Sequence, residues 1–118
     1  MTKKEKRPWG NFEIIHQETG ITIKILTVKP YQRLSLQSHQ ERDEIWLLLA
    51  GKGLCEIFEL PKAMKKGITY VIPREIKHRL TGGKEGCKVL EVSFGKFNEE
   101  DEVRYEDDYD RLKAPSKI

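Results

Sequence analysis

The segment Gln37-Ser-His-Gln-Glu-Arg-Asp-Glu-Ile-Trp46, followed 34 residues after Glu44 by His78, gathers the residues of this chain best suited to hold a metal. Imidazole and carboxylate are the ligands that borderline divalent metals take, and two histidines with carboxylates leave coordination positions open for a substrate. The competing reading is a hydrogen-bonded core histidine for His39 and His78, and a solvated strand-end carboxylate for Glu41.

Such residues work only if the elements around them bring them together. Period-two alternation predicts strands at 11–16, 21–28, 33–38, 44–50, 54–60, 68–72, 77–81 and 87–94. Thr19-Gly20, Lys29-Pro30, Gly51-Lys-Gly53, Lys65-Lys66-Gly67, Pro73 and Gly82-Gly83 stand between them as turn signals. Short strands at near-regular spacing, without a long amphipathic helix, argue an all-β sandwich or barrel such as a jelly roll. If residues 33–41 continue as one extended strand, Ser35, Gln37, His39 and Glu41 share one face and Leu34, Leu36 and Ser38 the other. A polar row opposite leucines is what a small barrel with a wet, functional interior would show. Glu44 opens the next strand across a short turn and meets His39 from the side. Trp46 has the parity of Glu44; it and Trp9 could wall a sugar pocket or fill the core.

At 118 residues the chain fits one domain, with a core over about 10–97 and a C-terminal extension over 98–118. Charged residues make up 35% and the net charge is only +3, so the basic stripe of a dedicated nucleic-acid binder is not expected. Cys55 and Cys87 sit in apolar runs and read as buried free thiols. The first residues lack the apolar run of a signal peptide and no later stretch reaches membrane-spanning length, so a soluble cytoplasmic protein is expected. The acidic stretch 98–111 carries Val103, Tyr105 and Tyr109, which suggests an edge strand followed by a short helical turn, folded back on the barrel. Residues 113–118 are expected to fray.

Glu44 with Gly51, and Gly67 with Pro73 and His78, resemble the two motifs of the cupin family, which bind one divalent metal inside a double-stranded β-helix (jelly-roll barrel). The resemblance maps His39 to the first histidine, Glu44 to the glutamate and His78 to the second-motif histidine; Glu41 stands where a further histidine would be. A closer resemblance covers nearly the whole chain. Arg7-Pro-Trp-Gly10, Lys24 to Pro30, Leu34-Ser-Leu-Gln37, Arg42-x-Glu44-x-Trp46, Tyr70 to Pro73, Lys77 to Leu80, Glu91-Val92 and Val103 to Tyr109 are similar to the type II mannose-6-phosphate isomerase domain. That domain is usually the C-terminal part of bifunctional mannose-1-phosphate guanylyltransferase/mannose-6-phosphate isomerases, and here it would stand alone.

The resemblance implies interconversion of mannose 6-phosphate and fructose 6-phosphate, in mannose, sugar-nucleotide and polysaccharide metabolism. His39, Glu41, Glu44 and His78 would make a two-histidine, two-carboxylate site for one divalent ion (Mn, Fe, Co, Zn or Mg), oxygen-rich enough to tilt away from zinc alone. Glu91 is the candidate catalytic base, with Glu41 as substitute. Arg42, Lys77 and Arg79 are the first candidates for phosphate contact, Lys24 and Arg7 the next, and Gln37 a further substrate contact; solvated surface charge competes with each cation. The alternatives are a regulatory cupin that binds a sugar or metal without turnover, and a cupin enzyme acting on another sugar. A homodimer, a sugar-phosphate ligand and a separate guanylyltransferase are the expected partners, with no nucleic acid and no membrane.

Overall fold

The computed structural model describes residues 3–112, so the expectations for 113–118 lie outside the described residues. Nine strands run in chain order: β1 (Lys3–Arg7), β2 (Gly10–Glu18), β3 (Ile21–Val28), β4 (Leu36–His39), β5 (Arg42–Ile57), β6 (Leu60–Ala63), β7 (Tyr70–Ile72), β8 (His78–Gly95) and β9 (Glu102–Glu106). The only helical element among the described residues is a 3-10 turn, Glu99–Asp101. The strands form one antiparallel sheet ordered β1-β2-β3-β8-β4-β9, with β5 against β8 and β6 and β7 along the far side of β5. This is the expected all-β cupin architecture with a short C-terminal extension. Among the described residues no helix is long and apolar enough to cross a membrane.

Alternation is what builds the wall. Strand β3 reads intermediate-buried throughout, and β5 begins with Arg42, Glu44, Trp46 and Leu48 buried in turn. Register carries this parity across three strands. Leu26, Val89 and Leu48 form one inward row, Lys24, Glu91 and Trp46 the next, and Thr22, Ser93 and Glu44 the third. Because cross-strand partners share a face, the interior passes from hydrocarbon to charge within two rows. The apolar rows, with Phe12, Val28, Leu80 and Cys87, are the core; the polar rows are the site. Both cysteines are free and buried, as expected.

Two glycine-containing runs expected to be turns lie inside long strands instead. Strand β5 runs through Gly51-Lys-Gly53 and β8 through Gly82-Gly83, with register shifts between Leu48 and Ala50 and between Gly51 and Gly53. Gly51 has φ +76, and a Cβ there would run into the carbonyl oxygen of Gly86 on β8. Glycine here lets two backbones close on one another at a bulge, which bends the pair without ending it. The reverse error occurs at Phe58-Glu59. The expected strand 54–60 is broken there by a two-residue hairpin turn, Ile57 pairing with Leu60, with both turn residues at positive φ (59 and 62). Neither is the Asn or Gly that usually announces such a turn.

The acidic stretch does fold back on the barrel, but with the 3-10 turn before the edge strand rather than after it. Asn98 caps the turn, its side chain accepting from the Glu100 N–H at 3.0 Å. Strand β9 is then fastened to the wall. Arg33 donates twice to Asp108 (2.6 and 2.9 Å), and Tyr109 donates to Gln32 at 2.7 Å. Ser38 and Tyr105 share a hydrogen bond of 2.8 Å.

Candidate metal centre

Three strands deliver the metal-binding side chains to one point. His39 closes β4, Glu44 stands on the second inward position of β5, and His78 opens β8. All three are buried, and their ligating atoms lie within 4.8 Å of one another. His78 Nε2 is 3.6 Å from Glu44 Oε1, and His39 Nδ1 is 3.9 Å from Glu44 Oε2. The imidazole centroids are 5.0 Å apart, and Trp46 meets His78 edge-on at 5.6 Å.

Supporting contacts set the chemistry of each group. His78 Nδ1 is 2.9 Å from the Ile76 carbonyl. A carbonyl only accepts, so Nδ1 carries the proton and Nε2 of the neutral ring offers its lone pair toward Glu44. Burial pushes the His78 pKa down, against the pull of the Glu44 charge, which keeps the ring neutral and able to ligate. Burial works to raise Glu44, but the facing histidines and the Arg42 guanidinium outweigh it and hold this carboxyl ionised. Arg42 Nε donates to Glu44 Oε2 at 2.8 Å and Ser93 Oγ donates to the same oxygen at 3.2 Å, leaving Oε1 to the histidine side.

His39 Nε2, Glu44 Oε1 and His78 Nε2 are buried without any hydrogen-bond partner. An unsatisfied buried polar atom costs about 1–3 kcal/mol, and Glu44 Oε1 and His78 Nε2, with His39 Nδ1 on the Glu44 side of its ring, form a donor set that fits a divalent cation. Gln37 adds a neutral candidate. It shares the inward face of β4 with His39, is 8% exposed, and is the register partner of His78.

The remaining candidates divide. Glu41 is exposed and outside this group, which corrects the expectation of a fourth ligand or substitute base there. The alternation of β4 stops at His39, because Asp101 accepts the backbone N–H groups of Gln40 and Glu41 (3.1 and 2.8 Å) and holds a turn. Arg79 is also corrected as a phosphate contact. It is buried, with donors on the Leu34 carbonyl (2.9 Å), the Glu106 carboxylate (3.2 Å) and the Glu106 carbonyl (3.2 Å), so it clamps β9 to the wall. Lys77 packs its ammonium over the Tyr105 ring at 4.4 Å, away from the cavity.

A cavity of about 90 Å³ opens beside Glu44. Gln37, Arg42, Glu91, Trp9 and, among the secondary candidates, Lys24 and Arg7 line it. Glu91 is buried and accepts from Trp46 Nε1 at 3.0 Å; burial first, then the Glu44 charge, push its pKa up. The Lys24 ammonium lies between the Phe12 and Phe97 rings, at 4.3 and 4.4 Å. The lining holds five cations (Arg7, Lys24, Arg42, Arg104, Arg111) against three carboxylates (Glu44, Glu91, Glu102). Glu102, Arg104 and Arg111 were not among the expected site residues, because the edge strand expected there had no face assigned to its charged side chains. The available signal was the alternation Glu102-x-Arg104-x-Glu106 on an edge strand.

A sequence profile of the family described as Mannose-6-phosphate isomerase C-terminal matches residues 1–108. The chain is 35% identical over 111 residues to the xanthan biosynthesis protein XanB of Xanthomonas campestris pv. campestris, covering 92% of this chain and 24% of XanB. It is 35% identical over 114 residues to the mannose-1-phosphate guanylyltransferase ManC of Salmonella typhimurium, covering 95% of this chain and 24% of ManC. The chain thus spans about a quarter of the length of these relatives. Among solved structures it is similar to oxalate decarboxylase from Bacillus subtilis, with a TM-score of 0.77 and 18% identity over 87% of this chain and 30% of that one. A profile match over nearly all of the chain, on a barrel that places two histidines and a glutamate inside it, establishes that the chain is a cupin and belongs to the mannose-6-phosphate isomerase C-terminal family.

Proposed function

We propose that this barrel is a divalent-metal-dependent aldose–ketose isomerase that interconverts mannose 6-phosphate and fructose 6-phosphate. The observation that carries the reading is the buried group of His39, Glu44 and His78, with Glu44 Oε1 and His78 Nε2 unpartnered, beside a cation-rich cavity. These three residues would hold the ion, with the Gln37 carboxamide oxygen as a fourth donor. The ion, of the Mn, Fe, Co, Zn or Mg group, would act as a Lewis acid on the sugar's carbonyl and neighbouring hydroxyl oxygens.

The protein's own groups do the rest. Glu91 takes the proton from C2 of the aldose and returns it to C1 while the C2 hydroxyl proton passes to O1, and its raised pKa lets one carboxylate both accept and release a proton. Trp46 fixes that carboxylate through its indole N–H, so the base meets substrate in one orientation. Lys24 and Arg42 face the cavity and favour a dianionic phosphate over a neutral sugar. Arg42 also keeps Glu44 ionised. The likeness to XanB and ManC supports a place in supplying mannose phosphates for activation and polysaccharide assembly, with a guanylyltransferase acting downstream as a partner activity.

The test is a coupled assay of mannose 6-phosphate conversion on metal-stripped protein, with manganese, cobalt, zinc and magnesium returned one at a time. Turnover restored by at least one ion supports the proposal. Protein that binds an ion and stays inactive with all of them would overturn it in favour of a cupin that binds without isomerising, or one that acts on another sugar.

A further inference from the structure

We propose that Glu102, brought in by the C-terminal edge strand, is a positioning residue of the metal centre that orients two donors, Gln37 and His39, toward Glu44 and His78. The inference rests on the metal-dependent reading above and deepens it by naming what holds the ligands in place.

Glu102 is the register partner of His39, and its side chain is only 23% exposed. Oε1 lies 3.6 Å from His39 Nε2, on the ring edge opposite the Nδ1 that faces Glu44. A carboxylate in that position favours a proton on Nε2 and leaves the Nδ1 lone pair for the cation side. The same carboxylate decides the Gln37 amide. An ionised carboxylate only accepts, so the Gln37 –NH2 must face it. In that orientation the –NH2 donates to Glu102 Oε1 at 3.2 Å, to Oε2 at 3.1 Å and to Ser35 Oγ at 2.8 Å. The carboxamide oxygen then turns away from Glu102, on a residue paired with His78. Arg104 Nε donates to Glu102 Oε2 at 2.8 Å and fixes the carboxylate itself.

Glu102 acts from outside the ligand group. The His39, Glu44 and His78 atoms all lie within 4.8 Å of one another, and Glu102 is not part of that set. Supporting carboxylates of this kind are worth about 10–100-fold in metal affinity.

The experiment is cobalt(II) titration of the metal-stripped chain, read by calorimetry and by the visible absorption of bound cobalt. Wild type, Glu102→Ala, Glu102→Gln and the control Glu100→Gln are compared, each checked for fold by circular dichroism without metal. Glu102→Ala is expected to weaken cobalt binding about 10–100-fold and to shift the absorption bands. Glu102→Gln, whose amide oxygen still accepts from Gln37, is expected to fall between wild type and alanine, and it decides the matter if the alanine variant does not fold. Glu100→Gln binds as wild type does. Wild-type affinity within twofold and an unchanged spectrum in both Glu102 variants would overturn the inference while leaving the metal centre standing. Absence of cobalt binding by wild type would overturn both.

Discussion

Removing one metal ligand should erase a thermal shift of calculable size. The 118-residue chain unfolds with an entropy of about 2.1 cal/mol/K per residue, or about 0.25 kcal/mol/K in total. A divalent ion supplied at a hundred times its Kd stabilises the folded state by about 2.7 kcal/mol, which corresponds to a rise in Tm of about 11 °C. His78→Ala removes one of three grouped ligands, and a loss of affinity of at least about a hundredfold leaves the ion near its Kd, for about 0.4 kcal/mol or less than about 2 °C. Without metal the variant melts lower than wild type, because it loses the Ile76 hydrogen bond and the ring contacts with His39 and Trp46. The informative quantity is therefore the difference in Tm with and without ion, measured by calorimetry for each protein separately. A full wild-type increment in His78→Ala, or no increment in wild type, would refute the placement of the ion among His39, Glu44 and His78.

Glu91→Gln should lower turnover by about 10²–10⁴-fold in steady-state assays while keeping the Trp46 hydrogen bond. Burial raises the folded pKa of Glu91, so its stability contribution is full below the unfolded value and is lost as pH rises through the folded one; urea melts at pH 8 should find the glutamine variant at least as stable as wild type. Glu102 has the opposite sign. Its pKa is lowered from 4.5 to about 2, where the His39 and Arg104 contacts outweigh burial, so the stability it contributes above pH 4.5 is lost as pH falls toward 2. Acid melts of Glu102→Gln should lack that part of the decline. Arg79→Met should cost about 1–3 kcal/mol in chemical denaturation, chiefly by leaving the Leu34 carbonyl without its donor since Glu106 is exposed, with KM unchanged in whatever fraction stays folded.

Much of the barrel was legible because its strands obey period two. Strand β3 appears with the bounds expected, and of the row Ser35, Gln37 and His39, all buried, the last two lie on β4. What failed were inferences from single residue types. Gly51 and Gly82 read as turns because glycine usually supplies freedom at a turn, whereas Gly51 supplies clearance between two long strands and Gly82 supplies it for the Lys29 carbonyl. Glu41 read as a ligand because alternation was carried past His39, and the Asp101 carboxylate that ends the strand lies sixty residues on. Glu102 was hidden for a related reason. An acid in an acidic run looks solvated until topology places its strand beside His39. Arg79 flanks a ligand in sequence and so looked functional, yet strand parity turns it to the opposite side, onto β9.

The central claim is tested most directly by proton NMR of mannose 6-phosphate in D2O with the metal-loaded chain. The account predicts fructose 6-phosphate carrying deuterium at C1, from exchange on the Glu91 carboxyl, and no conversion by metal-stripped protein or by Glu91→Gln. A chain that retains its ion yet yields neither fructose 6-phosphate nor deuterium exchange at C2 would contradict it.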